Sequence, residues 1–282
     1  MEKKVPELRD SLSAVPFRIS MCFKDAPIAL GTAFTYLYEA QLYLVTNWHN
    51  VTGREPGTLR LKSKDAAIPD RLRIEIPVVE ELNLGTISMR WSEGDLLLYE
   101  DVGDFPSKPV WYEHPRYGHK VDVVVIPMNV PEEVAICPAN DPKLNLSAVL
   151  LRPSLDVFVL GFPRGMTGGA KFPVWKRGSI ASEPEIDVDD LPKILIDTAT
   201  REGMSGSPVY LCQVGYYQSE EKYDTGGYKR CLKHRFFQVQ NVQNKLQKGP
   251  REIMIFGSKV TRSDLQVSLR EVAPRPIFGV SG

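Results

Sequence analysis

Several features that define whole classes of protein are missing from this chain of 282 residues. Its formal net charge is zero, with 35 basic and 35 acidic side chains, which argues against nucleic-acid binding driven by phosphate contacts. No apolar run approaches the roughly 20 residues needed to cross a bilayer, so we expect no membrane contact. The N-terminus lacks the apolar core of a signal peptide, and we predict a charged arm over residues 1–12.

Cysteine is scarce and scattered along the chain. The four cysteines are Cys22, Cys137, Cys212 and Cys231. They form no Cys-x-x-Cys pair, and we expect neither a bound metal nor a cofactor. This cysteine usage suits a reducing compartment, so we predict a cytoplasmic protein.

Short β-rich segments alternate with turn clusters, a pattern that predicts an all-β fold. In the first half the candidate strands are Pro16–Phe23, Leu30–Tyr38, Gln41–Val45, Thr58–Leu61, Leu72–Val79, Leu96–Leu98 and Val121–Pro127. In the second half they are Asp156–Gly161, Val174–Ser182, Ile194–Thr198, Ser207–Leu211, Phe236–Gln240 and Ile253–Phe256. The two halves are predicted as domains over residues 13–140 and 141–282, with a proline-bounded linker at 138–142.

Two other stretches need an interpretation. The glycine-rich segment 161–169 lacks the Gly-Lys-Ser/Thr ending of a phosphate-binding loop, and no helical pattern follows it. We interpret it as a flexible rim loop. The polar segment at about 213–252 is interpreted as a solvated hairpin insertion, with a docking surface for a partner as the alternative.

Three segments contain residues suited to nucleophilic catalysis. Ser205 lies in a Gly-x-Ser-Gly turn that leads into an apolar run, and Gly203 has no Cβ to block a developing oxyanion. His49 follows an apolar, β-rich run, which predicts an imidazole at the end of a strand. Asp122 opens a run of β-branched residues, where a carboxylate is costly to bury unless a group such as an imidazole N–H donates to it.

Other residues compete for these roles. His119 lies three positions before Asp122 and is the main rival of His49 as its partner. His114 shares with His119 a stretch punctuated by proline and glycine, and both are predicted to be loop residues. The rival carboxylates are Asp101, Asp104 and Asp156.

The order of histidine, aspartate and serine, with these flanks, resembles the trypsin-like (chymotrypsin-fold) serine peptidases, most closely the bacterial and intracellular ones. That family has Thr-x-x-His, an aspartate before an apolar strand, and Gly-x-Ser-Gly-x-Pro, which match at His49, Asp122 and Ser205. The resemblance spans about residues 17–209. It implies two six-stranded antiparallel β-barrels, with the active site in the cleft between them. The first barrel then supplies the histidine and the aspartate, and the second supplies the serine.

The resemblance also implies a mechanism. His49 accepts the proton of the Ser205 hydroxyl, Asp122 fixes the imidazole tautomer, and the N–H groups of Gly203 and Ser205 form an oxyanion hole. The substrate is then a protein or a peptide. The leading prediction is a serine endopeptidase that forms an acyl-enzyme. The alternative is a catalytically impaired module that binds a peptide or a partner protein without cleaving it.

The pocket residues follow from the same resemblance. Ala199, six positions before the serine, lies at the base of the pocket and offers no charge to a basic side chain, although Glu202 could supply one from the rim. A cleft-lining strand with a serine near its end matches either Ile255–Ser258, which makes Ser258 a pocket residue, or Ile277–Gly282. If the second match is right, the cleft is incomplete.

Met204 stands where the digestive enzymes carry an aspartate that pairs with a new N-terminal amine. Methionine cannot form that ion pair, so we expect no activation by insertion of the N-terminus. A regulatory protein partner is left open. An esterase with Gly-x-Ser-x-Gly is excluded because position 207 is serine.

Overall fold

The computed structural model describes residues 8, 10–82, 86–100, 107–131, 134–144, 150–199, 201–218, 223–231, 239–240 and 253–258. For residues 79–82, 86–89 and those from 212 onward, the backbone alone is described. Within these ranges the chain forms two large antiparallel sheets, and each half of the chain supplies one of them.

The first half supplies nine strands and the one α-helix of the described ranges. The strands are β1 (Pro16–Phe23), β2 (Ala26–Tyr38), β3 (Gln41–Thr46), β4 (Arg71–Leu82), β5 (Thr86–Leu97), β6 (Tyr99–Glu100), β7 (Lys108–Pro109), β8 (Tyr112–Glu113) and β9 (Val124–Met128). Helix α1 (Trp48–Thr52) follows β3 directly. Strands β6 and β7 pair separately from the main sheet.

The second half supplies seven strands. They are β10 (Asp156–Gly161), β11 (Val174–Ile180), β12 (Lys193–Asp197), β13 (Val209–Gln218), β14 (Tyr223–Cys231), β15 (Val239–Gln240) and β16 (Ile253–Ser258). Three single-turn 3₁₀ helices complete the described elements, at Ser11–Ala14, Pro142–Leu144 and Pro163–Gly165.

The two sheets repeat one topology. The strand order is β5-β4-β1-β2-β3-β9-β8 in the first and β14-β13-β10-β11-β12-β16-β15 in the second. If the two-residue strands β8 and β15 are set aside, each sheet has six strands in the same order: fifth, fourth, first, second, third, sixth. The sheets curl, and the predicted fold of two six-stranded antiparallel β-barrels is confirmed.

Several predictions about strands differ from the structure. Strand β5 begins at Thr86 where only Leu96–Leu98 was predicted, and β9 begins at Val124 rather than at Val121. Thr58–Leu61 is not a strand, because Leu59 has a positive φ of 58° and only Leu61 forms an isolated bridge, with Arg54. The polar segment 213–252 does contain a hairpin, but its strands β13 and β14 belong to the second sheet.

Apolar side chains join the two barrels. One buried cluster contains Phe34 and Val45 of the first barrel together with Leu160 and Tyr210 of the second. The predicted linker lies across this junction, because Ala139 is buried and its carbonyl oxygen accepts a hydrogen bond from the Tyr210 hydroxyl (3.3 Å). No helix in the described ranges is long and apolar enough to span a membrane.

Candidate active site

The sequence predicted His49 at the end of a strand, but in the structure it lies in the short helix α1. Strand β3 ends at Thr46 and α1 begins at Trp48, so the imidazole lies in the first turn of the helix. Gly53, with a φ of 65°, ends the helix and its N–H donates to the His49 carbonyl oxygen (3.0 Å). His49 is only 7% exposed, which limits the positions open to its ring.

Asp122 lies two residues before β9 and is 4% exposed. Its Oδ1 accepts the backbone N–H of His49 (2.9 Å), and its Oδ2 accepts the Asn47 side-chain amide (2.8 Å). Oδ2 also lies 2.6 Å from Nδ1 of His49. An ionised carboxylate only accepts hydrogen bonds, so the proton of the neutral imidazole lies on Nδ1 and leaves Nε2 as an acceptor.

Ser205 completes a hydrogen-bonded chain with these two residues. Its Oγ lies 3.0 Å from Nε2 of His49, within reach for the hydroxyl to donate to that nitrogen. The structure therefore brings Ser205, His49 and Asp122 together in the order that the sequence predicted. They come from the first barrel (His49 and Asp122) and from the turn before β13 of the second.

The rival residues lie elsewhere. His119 packs against the Trp48 ring, with 5.6 Å between ring centroids, and Nδ1 of His114 accepts the backbone N–H groups of Arg116 and Tyr117. Asp156 pairs with Arg177 at the surface. Asp101 and Asp104 lie outside the described residues.

The turn that carries Ser205 requires glycine on both sides of it. Gly203 and Gly206 have φ angles of 87° and 89°. A Cβ on Gly203 would lie 2.2 Å from the carbonyl oxygen of Phe162, and one on Gly206 would lie 1.9 Å from that of Thr32. Either contact is a steric clash with backbone, so only glycine fits.

Hydrogen bonds to their carbonyl oxygens fix the orientation of two peptide groups in this turn, Glu202–Gly203 and Met204–Ser205. The Glu202 carbonyl accepts the Arg164 N–H (2.6 Å), and the Met204 carbonyl accepts the Ser207 N–H (3.1 Å). In a trans peptide the N–H points opposite to the carbonyl, so the N–H groups of Gly203 and Ser205 point away from these contacts. Within the described residues, neither of these two N–H groups has a hydrogen-bond acceptor.

The glycine-rich segment 161–169 is in part a packing element. Gly161, Phe162 and Pro163 are buried, and the Arg164 N–H holds the Glu202 carbonyl. The interpretation as a flexible rim loop is therefore wrong for this first part, because its backbone is fixed against the serine turn. Residues 166–169 are exposed.

Ala199 and Ser258, the two predicted pocket residues, are not brought together. Ala199 is exposed and follows the end of β12, and its carbonyl oxygen accepts a hydrogen bond from Nζ of Lys176. The backbone of Ser258 pairs with Lys193, at the other end of β12 and six residues before Ala199. The second candidate strand, at 277–282, lies outside the described residues.

The electrostatic environment of Lys193, the first residue of β12, alters its pKa. Burial lowers the pKa of Lys193, and the negative charges of Asp189 and Asp122 act in the opposite direction.

Met204 is 2% exposed and packs into the apolar core of the second barrel. The serine turn is thus anchored by the apolar packing of Met204, at the position where the sequence comparison with the digestive enzymes expects an ion-pairing aspartate.

Sequence reasoning missed three residues that hold the site: Thr32, Asn47 and Asn50. The Asn50 side-chain amide donates to the Ser205 carbonyl oxygen (3.2 Å), and Thr32 donates to the same oxygen through its backbone N–H (2.8 Å). The two asparagines flank Trp48 and His49, and polar amides in an otherwise apolar stretch were the available signal. Thr32, inside a β-rich run, gave none.

Neither a protein-family profile nor a curated protein sequence matches the chain. Among solved structures, it is similar to the thermostable serine protease AL20 from an extremophilic microorganism (10% identity, 92% of this chain and 96% of that one, TM-score 0.42). It is also similar to the protease Anisep from Arthrobacter nicotinovorans (10% identity, 90% and 93%, TM-score 0.42). A third is the serine endoprotease from Yersinia pestis (13% identity, 81% and 63%, TM-score 0.36).

These three proteins are serine proteases by name. The fold rests on the strand order of the two sheets. By that order each half of the chain forms a six-stranded antiparallel β-barrel, which is the fold expected from the resemblance to the trypsin-like serine peptidases.

Proposed function

We propose that this protein is a serine endopeptidase with a catalytic triad of Ser205, His49 and Asp122. The observation that carries the proposal is the unbroken hydrogen-bonded chain from the Ser205 hydroxyl through both nitrogens of His49 to the Asp122 carboxylate. Both barrels contribute residues to this series of hydrogen bonds, so its geometry depends on the whole fold. Such an arrangement of nucleophile, base and orienting acid is the general requirement for serine catalysis.

The reaction proceeds in two halves. Oγ of Ser205 attacks the peptide carbonyl carbon while Nε2 of His49 takes its proton, and a C–O bond forms. The N–H groups of Gly203 and Ser205 donate to the resulting oxyanion. Collapse of this intermediate breaks the C–N bond, and His49 gives its proton to the leaving amine. Water then attacks the acyl-enzyme in the same way and releases the carboxylic acid.

The proposed substrate is an extended segment of a protein or peptide, which can bind in the cleft between the barrels by backbone hydrogen bonds. We further propose that cleavage does not favour arginine or lysine before the cut bond. Ala199 carries no negative charge that would attract a basic side chain, and its carbonyl oxygen already accepts a hydrogen bond from the Lys176 ammonium. Exposed Glu202 is the group that could reverse this preference.

A fluorophosphonate probe tests the proposal, because it forms a covalent bond with an activated serine. We expect one probe molecule on the wild type and none on Ser205→Ala. The matched control is Ser207→Ala, since Ser207 is buried two residues further on and its hydroxyl has no hydrogen-bond partner in the described part of the chain. It should be labelled like the wild type. Folded wild type that takes up no probe would overturn the proposal and favour the non-cleaving module.

A further inference from the structure

Thr32 lies at the point where β2 extends past the end of β3 and meets the turn that carries Ser205. It is fully buried. Its hydroxyl donates to the Gly203 carbonyl oxygen (2.7 Å), 171 residues away, and its backbone N–H donates to the Ser205 carbonyl oxygen (2.8 Å). A single residue of the first barrel therefore holds the serine turn of the second barrel at two points.

We infer that the Thr32 hydroxyl is a positioning group that keeps the Gly203 N–H directed at the substrate carbonyl. The inference rests on the proposed function. Glycine rotates more freely than other residues about its backbone bonds, and Gly203 has one peptide group on each side. The Arg164 N–H holds the carbonyl of the preceding peptide, and Thr32 holds the carbonyl of the following one. With both carbonyls held, neither peptide can turn over.

The same hydroxyl also acts on the segment that holds the preceding peptide. Its oxygen accepts the Phe162 N–H (3.3 Å), two residues before Arg164. A hydroxyl has one donor proton and can accept as well, so both capacities of Thr32 serve this turn.

Thr32 is itself fixed from the first barrel. The Thr46 hydroxyl donates to the Thr32 carbonyl oxygen (2.9 Å), and the Asn50 amide donates to the Thr46 hydroxyl (2.9 Å). Thr46 and Asn50 lie on either side of His49 in the chain. The position of the oxyanion-binding peptide is thus linked to the position of the histidine through a short series of buried hydrogen bonds.

Replacing Thr32 by valine keeps the shape of the side chain and removes both of its hydrogen bonds. The Gly203 carbonyl and the Phe162 N–H then lose a partner in a buried place, which favours other orientations of the turn. We expect the rate of fluorophosphonate labelling to fall at least 10-fold for Thr32→Val. The upper limit is the loss of roughly 100- to 1,000-fold that removal of one oxyanion donor causes. Thr32→Ser, which keeps the hydroxyl, should label close to the wild-type rate.

Two further readouts separate positioning from a loss of structure. Thr32→Val should reach the same final stoichiometry of labelling as the wild type, because every molecule remains folded. The pH midpoint of its labelling rate should also stay unchanged, because the contact between His49 and Asp122 is untouched. Thr35→Val is the matched control: Thr35 is equally buried on β2, and its hydroxyl has no hydrogen-bond partner in the described residues.

The inference is overturned if Thr32→Val labels as fast as Thr35→Val, or if Thr32→Ser is as slow as Thr32→Val. If a thermal melt shows that Thr32→Val does not fold, Thr32→Ala and Thr32→Ser are compared instead, with the same expectation of a slow and a near-normal rate. Failure of the proposed function gives a different result, since the wild type would then take up no probe at all.

Discussion

Asp122 is a buried carboxylate whose described donors come from only two residues, Asn47 and His49. A buried charge is costly unless it is hydrogen-bonded, and removal of a donor leaves part of that cost uncompensated. Asn47 donates both to the carboxylate and to the backbone carbonyl of Asp122 (2.7 Å), so it fixes the residue at two points. At the scale of single residues, the stability of the site and its geometry therefore depend on the same contacts.

The first prediction concerns Asn47→Ala. We expect the free energy of unfolding to fall by about 2 kcal/mol, the usual cost of losing a buried hydrogen bond to a charged group. Urea denaturation measures this change. The control is Asn140→Ala, because Asn140 also makes two side-chain hydrogen bonds, both with the Leu37 backbone at an exposed place. Equal losses for the two variants would contradict the account of Asp122.

The sequence was sufficient to predict the residues of the candidate triad but not those that hold them. His49, Asp122 and Ser205 each stand in a local pattern that marks their chemistry. Thr32 acts through a contact with a residue 171 positions away, and no local pattern reports such a contact. Thr35, three residues further on, has the same type of side chain, and its hydroxyl has no hydrogen-bond partner among the residues that the structure describes.

At the scale of elements, the serine turn depends on two glycines in the left-handed region. The second prediction is that Gly203→Ala abolishes labelling by the fluorophosphonate, because its Cβ would meet the Phe162 carbonyl oxygen at 2.2 Å and displace the turn. We expect a loss of at least about 100-fold, as for removal of an oxyanion donor. Probe uptake followed by mass spectrometry measures it.

Gly57→Ala is the control for this variant, because a Cβ there would meet nothing within 4 Å. It should be labelled at the wild-type rate. Wild-type labelling of Gly203→Ala would show that the turn does not take the described conformation.

Strands were predicted well where apolar residues end at a turn. The bounds of β1 and β10 agree with the predicted segments Pro16–Phe23 and Asp156–Gly161. Strand β14 was predicted only as part of a solvated hairpin because Tyr223–Cys231 is mostly polar, and in the described structure it pairs with β13 alone at the edge of the sheet. An edge strand needs less apolar character than a central one, so its sequence resembles that of a loop.

At the scale of the whole molecule, the two barrels share a buried cluster that includes Phe34, Val45, Leu160 and Tyr210. The repeated strand order of the two sheets has no counterpart in a visible sequence repeat, because topology constrains where strands lie and leaves most side chains free. Cytoplasmic location and a regulatory partner stay predictions from the sequence.

The third prediction is that the two barrels unfold together. Circular dichroism and tryptophan fluorescence should give one coincident transition in denaturant. Tyr210→Ala should lower the free energy of unfolding of the single transition by about 3 kcal/mol, because it opens a cavity in the shared cluster. Tyr210→Phe, which removes the hydroxyl that donates to the Ala139 carbonyl oxygen and keeps the ring, should lower the free energy of unfolding by about 1 kcal/mol. Two separate transitions would contradict the shared core.

Ser205 is proposed to cleave peptide bonds, and incubation of the protein with an unbiased peptide library would reveal this cleavage. Mass spectrometry of the products should show internal cleavage by the wild type and by Ser207→Ala, without a preference for arginine or lysine before the cut. The same digest with folded Ser205→Ala should show no products. Equal cleavage by Ser205→Ala, or no cleavage by the wild type, would contradict the account.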